Sequence, residues 1–296
     1  MRAVRMHADE ADIDETLVHR LVAEQFPDWS GLSVEPVESS GTDNAMYRLG
    51  EEMVVRLPRI PGAVNGVAHE LRWLPRLAAH LPVPVPRPLR EGRPTPAYPW
   101  PWSVYQWLEG TNPRVDSLAD PDGLAEDLAE FVAALRAVDP IGGPAAERGV
   151  PLAERDAPTR AALAQLEGEI DVAAATAVWE EALRVPERRG PAVWMHADLS
   201  PGNLLTVDGR LGAVIDFAAA GTGDPTVDLI VAWNLLPASA RGVFRERLDV
   251  DEATWIRGRG WALSIALIQL PYYRHTNPVL AANARHVIGE VLADPS

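Results

Sequence analysis

Apolar side chains recur at helical spacing near the start of the chain. Ile13, Leu17, Leu21 and Val22 fall on one face and predict an amphipathic helix over residues 13–26. Three short apolar runs follow, Leu32–Glu38, Ala45–Leu49 and Met53–Leu57. They read as strands, separated by the turn-like stretches Ser39–Asn44 and Gly50-Glu51-Glu52. A helix is predicted from about Val64 to His80, with Pro75 inside it; a proline there lacks a backbone donor and should kink or split the helix. The proline-dense stretch Leu81–Pro101 reads as extended segments leading into a strand at Trp102–Trp107, because Val83, Val85 and the apolar run VYQW suit packed structure. Beyond Leu108–Pro113 the pattern turns helical, at Leu124–Val138, Ala161–Arg184 and about Ala253–Leu270, with one strand island at Leu204–Phe217. Trp233, Trp255 and Trp261 are expected in the core. The change of pattern near Leu108–Gly110 places a lobe boundary there, dividing the chain into 1–107 and 108–296, with no internal repeat.

Composition narrows the classes. A chain of 296 residues that is 47% hydrophobic and 23% charged can bury one large domain or two lobes, and is not of the disordered kind. The absence of cysteine excludes disulfides, cysteine-based zinc sites and thiol chemistry. The first twenty residues lack an apolar core of signal-peptide length, and no later run approaches the ~20 apolar residues of a membrane helix. A cytoplasmic protein without a membrane partner is expected. A net charge of −15 argues against nucleic-acid binding by a broad basic face. The acidic surface either serves solubility alone or attracts a cationic ligand. All 27 basic residues are arginine, a bias of the whole chain rather than of any one site.

Chemistry concentrates in VWMHADLSPGNLLTVDGRLGAVIDFAAAGTGDPTVD, residues 193–228. Asp198 and Asn203 flank a short loop that Pro201 and Gly202 force into a tight path. The apolar runs Leu204–Val207 and Leu211–Ile215 are joined through Asp208-Gly209, the strongest short-range hairpin signal. Closing that hairpin sets Asn203 at one open end and Asp216 at the other. Paired strands lie about 5 Å apart, which suits shared coordination of a hard cation such as Mg²⁺. Asp198, on the same loop, would reach that site, and a carboxylate beside a metal-bound phosphate can accept the proton of an attacking hydroxyl.

HADLSPGN has the spacing of the kinase catalytic loop, and Ile215-Asp216-Phe217 falls where Asp-Phe-Gly would. With Pro-Gly before Asn203 and Gly-Thr-Gly-Asp-Pro-Thr-Val-Asp-Leu afterwards, the segment resembles the aminoglycoside phosphotransferase family, whose relatives act on macrolides, choline and other small molecules. The likeness spans about residues 30–235. It implies an α+β, two-lobed, protein-kinase-like fold with a small antiparallel-sheet N-terminal lobe and a mainly helical C-terminal lobe. It also implies ATP or GTP as co-substrate, Mg²⁺ as cofactor, Asp198 as base, and Asn203 and Asp216 as metal ligands. His196 would hold the loop by backbone hydrogen bonds, and Asp228 would cap the next helix and brace the loop.

The upstream half then becomes the nucleotide lobe. Ser40, Gly41 and Thr42 lie where the resemblance puts the phosphate-covering loop, with one glycine in place of three. MVVRLP matches the strand on which protein kinases carry lysine; Arg56 stands there, and its planar fork can hold phosphate oxygens and the carboxylate of Glu70 together. Backbone groups of Gln106, Trp107 and Leu108 would read the base. Tyr272, Tyr273 and Arg274 either line the acceptor pocket or close a helix end on the core. The expected function is phosphate transfer to a hydroxyl of an aminoglycoside or related antibiotic. The alternatives are a metabolic kinase of an amino alcohol, sugar or sugar-amine, and an inactive nucleotide-binding module. Retention of Asp198, Asn203 and Asp216 counts against the last.

Overall fold

The computed structural model describes residues 10–37 and 43–294, which separate into two units. The first gathers the described chain up to Ala79 with Pro84–Glu109 and Ile215–Ala218; the second gathers His80–Val83, Gly110–Val214 and the described residues from Ala219 on.

In the first unit, Asp14 caps helix α1 (Glu15–Gln25) by accepting from the Leu17 amide at 2.8 Å. The face carrying Leu17, Val18, Leu21 and Val22 is buried, as its spacing predicts. Each such side chain is worth roughly 1.5–3 kcal/mol over exposure. These residues share a core with Leu49, Val55, Leu57 and Trp102 of an antiparallel sheet. Its strands are β1 (Val34–Pro36), β2 (Asn44–Leu49), β3 (Met53–Pro58), β4 (Pro88–Gly92) and β5 (Trp102–Gln106), in the order β1-β2-β3-β5-β4. Helix α2 (Val64–Ala78) packs beside β4 and β5 and is continuous through Pro75. The expected split does not occur, because Pro75 lies only three residues from the helix end and the bond it removes is among the last.

The second unit is mainly helical: α3 (Pro121–Ala137), α4 (Asp156–Gln165), α5 (Val172–Arg184), α6 (Val231–Asn234), α7 (Ala238–Arg247), α8 (Glu252–Tyr273) and α9 (Pro278–Ala293). The single helix expected over Ala161–Arg184 is instead two, α4 and α5. Between them Gly168 takes φ +80°, and Asp171 begins α5 by accepting from the Ala174 amide at 2.9 Å. Helix α8 is buried nearly all round, packed against α4, α5 and α9. Trp233 and Trp261 are fully buried and Trp255 nearly so. The strand island is larger than its apolar runs suggested. Besides the hairpin of β7 (Leu204–Val207) and β8 (Arg210–Val214), it includes β6 (Val193–Met195) paired with β9 (Gly221–Gly223). Among the described residues no helix is long and apolar enough to cross a membrane.

Candidate active site

The hairpin forms around Asp208-Gly209 with both residues left-handed, φ +51° and +82°, the conformation that a two-residue turn matching the strand twist requires. Its first strand follows directly on a 3₁₀ turn, Pro201–Asn203, and Leu204 pairs with Val214. Asp216 leaves the far end of β8 two residues beyond that pair.

The loop between β6 and β7 is held at many points. Ala197 is left-handed at φ +66°, a conformation that costs an L-residue roughly 1–2 kcal/mol. Buried Asp228 offsets this by accepting from the His196 amide at 3.0 Å and the Ala197 amide at 2.8 Å. Asn234 donates to the Leu199 carbonyl at 2.8 Å, and Asn112 to the Leu204 carbonyl at 2.8 Å. His196 is fully buried, and its Nδ1 accepts from the Asp198 amide at 3.3 Å. Burial pushes the Asp228 carboxyl above its ordinary range, while His196, the two amides and Arg136 pull it back. The cap of the following turn is Asp224, which accepts from the Thr226 amide at 3.0 Å; Asp228 sits inside that turn, so its expected capping role passes to Asp224. Asp228→Ala would leave two buried amides without acceptors. It is expected to cost roughly 2–4 kcal/mol by denaturant melting. Unchanged stability would show that the loop does not lean on this carboxylate.

At the head of the loop, the Asp198 carboxylate accepts from Asn203 Nδ2 at 2.9 Å on Oδ2 and from Arg148 Nη1 at 2.5 Å on Oδ1. It stays about one-third exposed, 36%, enough to meet a hydroxyl from solvent. Asn203 also donates to the Asp198 carbonyl, so its amide nitrogen is committed and its oxygen is turned away.

A second polar cluster lies in the first unit. Arg56 and Ser103 pair across β3 and β5, which puts Tyr105 on the Arg56 face of the sheet. Glu70 of α2, almost fully buried, accepts from Arg56 Nη1 at 2.7 Å, Tyr105 Oη at 2.6 Å and the Phe217 amide at 2.8 Å. Arg56 Nη2 donates to Asp216 Oδ1 at 2.7 Å, and Asp216 is itself left-handed at φ +62°. With its amide oxygen turned to Arg56, Asn44 accepts from Nη2 at 3.0 Å as well. Burial works against the Arg56 charge, but Asp216 and Glu70 outweigh it and hold the guanidinium above its ordinary range. Burial, then the Glu70 charge, pushes the Tyr105 phenol up.

Ser40, Gly41 and Thr42 lie outside the described residues. The Gln106 amide donates to the Arg87 carbonyl at 3.0 Å and the Trp107 amide to the Glu52 carbonyl at 2.7 Å, while Leu108 follows half-buried. Tyr272 is exposed at the end of α8, its ring 4.7 Å from that of Tyr273, and Arg274 pairs with Glu169 at 3.3 Å. Tyr272 therefore does not close the helix end on the core.

Sequence reasoning missed Arg148, Asn112, Tyr105 and Asn234. Each acts through a partner 35 to 92 residues away, and no motif marks that pairing.

The model of a family described as the phosphotransferase enzyme family matches residues 33–262. No curated protein matches the chain. Three solved structures show what the fold is similar to. An APH(2″) enzyme in complex with GDP and kanamycin is 22% identical, with 93% of this chain and 97% of that one covered, at a TM-score of 0.75. A wild-type aminoglycoside 2′-phosphotransferase-IIIa in complex with GDP is 20% identical, with 95% and 99% covered, at 0.75. The macrolide 2′-phosphotransferase MphH from Brachybacterium faecium, without ligand, is 24% identical, with 96% and 99% covered, at 0.59. At these identities the likeness establishes the fold, which is the α+β, protein-kinase-like class expected from the sequence.

Proposed function

The chain belongs to the phosphotransferase enzyme family, and on that premise we propose that it transfers the γ-phosphate of ATP or GTP to a hydroxyl of an aminoglycoside or related antibiotic, in the cytoplasm, as a resistance enzyme. The observation that carries this reading is the Asp198 carboxylate, oriented by Asn203 and Arg148 yet open to solvent. The acceptor oxygen bonds to the γ-phosphorus, and the bond from phosphorus to the β–γ bridging oxygen breaks. The nucleoside diphosphate leaves with that electron pair, and Asp198 takes the hydroxyl proton.

The donor set fits Mg²⁺. Asn203 spends its nitrogen on Asp198 and would give its oxygen, and Asp216, whose Oδ1 accepts from Arg56, would give a carboxylate oxygen; both are hard oxygen donors of the kind this ion takes. When bound, the ion supplies charge neutralisation of the phosphates. Arg56, its Nη1 held by Glu70, anchors phosphate oxygens through the Nη2 arm that rests on Asp216 in this structure, and Ser40, Gly41 and Thr42 cover the phosphates. Backbone groups of Gln106–Leu108 read the base. His196 and Asp228 keep the loop in shape. Tyr272, Tyr273 and Arg274 are assigned to the acceptor, with residues 1–107 as the nucleotide lobe and 108–296 as the catalytic and acceptor lobe.

The test is a panel of aminoglycosides, macrolides, amino alcohols and neutral sugars, each incubated with ATP or GTP and read by mass for a phosphate adduct. Adducts on aminoglycosides are expected. With nucleotide saturating, their KM should rise with salt while kcat stays nearly flat, because the net charge of −15 is screened over ~10 Å at 0.1 M but only ~3 Å at 1 M. Adducts confined to neutral sugars or amino alcohols would make this a metabolic kinase instead.

A further inference from the structure

Arg148 reaches the catalytic loop from the segment between α3 and α4. A single nitrogen, Nη1, donates to the Ala197 carbonyl at 2.9 Å and to Asp198 Oδ1 at 2.5 Å. Asn203 holds the other carboxylate oxygen. Asp198 is therefore fixed oxygen by oxygen, and the same guanidinium nitrogen ties down the left-handed residue before it.

The segment carrying Arg148 is itself pinned along β9. The Thr222 amide donates to the Pro144 carbonyl at 2.7 Å, the Ala146 amide to the Thr222 carbonyl at 3.0 Å, and the Asp224 amide to the Gly149 carbonyl at 3.1 Å. Only glycines on the β9 side allow this approach. A Cβ on Gly221 would lie 2.8 Å from the Ala146 nitrogen, and one on Gly223 2.5 Å from the Gly149 oxygen. Gly-Thr-Gly-Asp thus serves as the seat of the Arg148 segment.

Stability does not explain the ion pair. Its side chains are 32% and 36% exposed, and pairs so wet contribute about 0–1 kcal/mol. Orientation is what it can deliver, since a displacement of about 1 Å at a reacting group can cost ~10²-fold in rate. We infer that Arg148 is a positioning residue for the transfer step, delivered by the β9 seam to hold the Asp198 carboxylate in the orientation that accepts the hydroxyl proton. This rests on the phosphotransfer reading above.

The test compares wild type, Arg148→Ala and Arg148→Lys by steady-state kinetics, thermal melting and crystallography. Arg148→Ala is expected to lower kcat about 10- to 100-fold while both KM values and Tm stay near wild type. Arg148→Lys should recover most of kcat, because one nitrogen makes both contacts and an ammonium can replace it. Gly223→Ala, which opens the seam without touching Arg148 or Asp198, should lower kcat in the same way. In crystals of Arg148→Ala the Asp198 carboxylate should leave its place or spread over two rotamers. A wild-type kcat in Arg148→Ala, a fall in kcat matched by a fall in Tm, or a carboxylate that stays in place would overturn the role while leaving the phosphotransfer reading intact. A wild type that transfers no phosphate overturns that reading, and the role with it.

Discussion

Asp198→Asn is expected to fold and to melt like the wild type, yet turn over about 10²–10⁴-fold more slowly, the usual scale for removing a general base. The side chain keeps its shape, and Arg148 can still donate to the remaining oxygen. What is lost is the acceptor of the hydroxyl proton. The substitution also turns an N–H₂ toward Asn203 Nδ2, so the Asn203 amide must rotate to restore a hydrogen bond, and its oxygen then faces Asp198 rather than a cation. Nucleotide affinity should therefore be unchanged without Mg²⁺ and weaker with it. Calorimetric titration in both conditions checks that split. Wild-type turnover in a well-folded Asp198→Asn protein would remove Asp198 from the chemistry.

The second large effect is expected at the Arg56–Glu70 pair. Glu70 satisfies three donors from inside the protein, so replacing it with alanine takes one of two carboxylates from a buried guanidinium, which keeps Asp216, and removes the Glu70 acceptor from a phenol and an amide at once. Breaking a buried ion pair from one side costs about 3–5 kcal/mol, enough to consume much of a typical domain's stability. Glu70→Gln keeps one acceptor and should cost less. Arg56→Ala acts differently. It is expected to raise nucleotide KM and lower kcat, because the phosphates lose their anchor and Asp216 loses the partner that orients it. Arg56→Lys should recover part of both, since a single ammonium cannot hold Glu70 and Asp216 in the geometry of a planar fork. Denaturant melts separate the two substitutions from their kinetics. Unaltered kinetics in Arg56→Ala would mean that this strand does not serve the nucleotide.

What could be read in the sequence was what local chemistry decides. Asp208-Gly209 announces its hairpin because few other residues tolerate φ above zero at two successive positions. The α1 face shows in its spacing, and Arg56 and Glu70 fall at the strand and helix positions the family resemblance assigns. Other features depend on partners far along the chain. Arg148 is one of 27 arginines, and nothing in Ala-Glu-Arg-Gly distinguishes it until Gly221 and Gly223 bring the segment down. Strands β6 and β9 are three residues each, too short for an alternating pattern. The break between α4 and α5 turns on Gly168, whose neighbours keep a helical composition. Pro75 misled in the opposite sense, because its cost depends on where the helix ends.

The central claim is tested most directly by a single turnover with nucleotide labelled in the γ-phosphate, in the presence of an acceptor found by the panel. The label should move to the acceptor at the rate at which nucleoside diphosphate appears, and Asp198→Asn should slow both together. Label released only as inorganic phosphate, or retained on the nucleotide while the protein binds it, would contradict phosphate transfer to an alcohol.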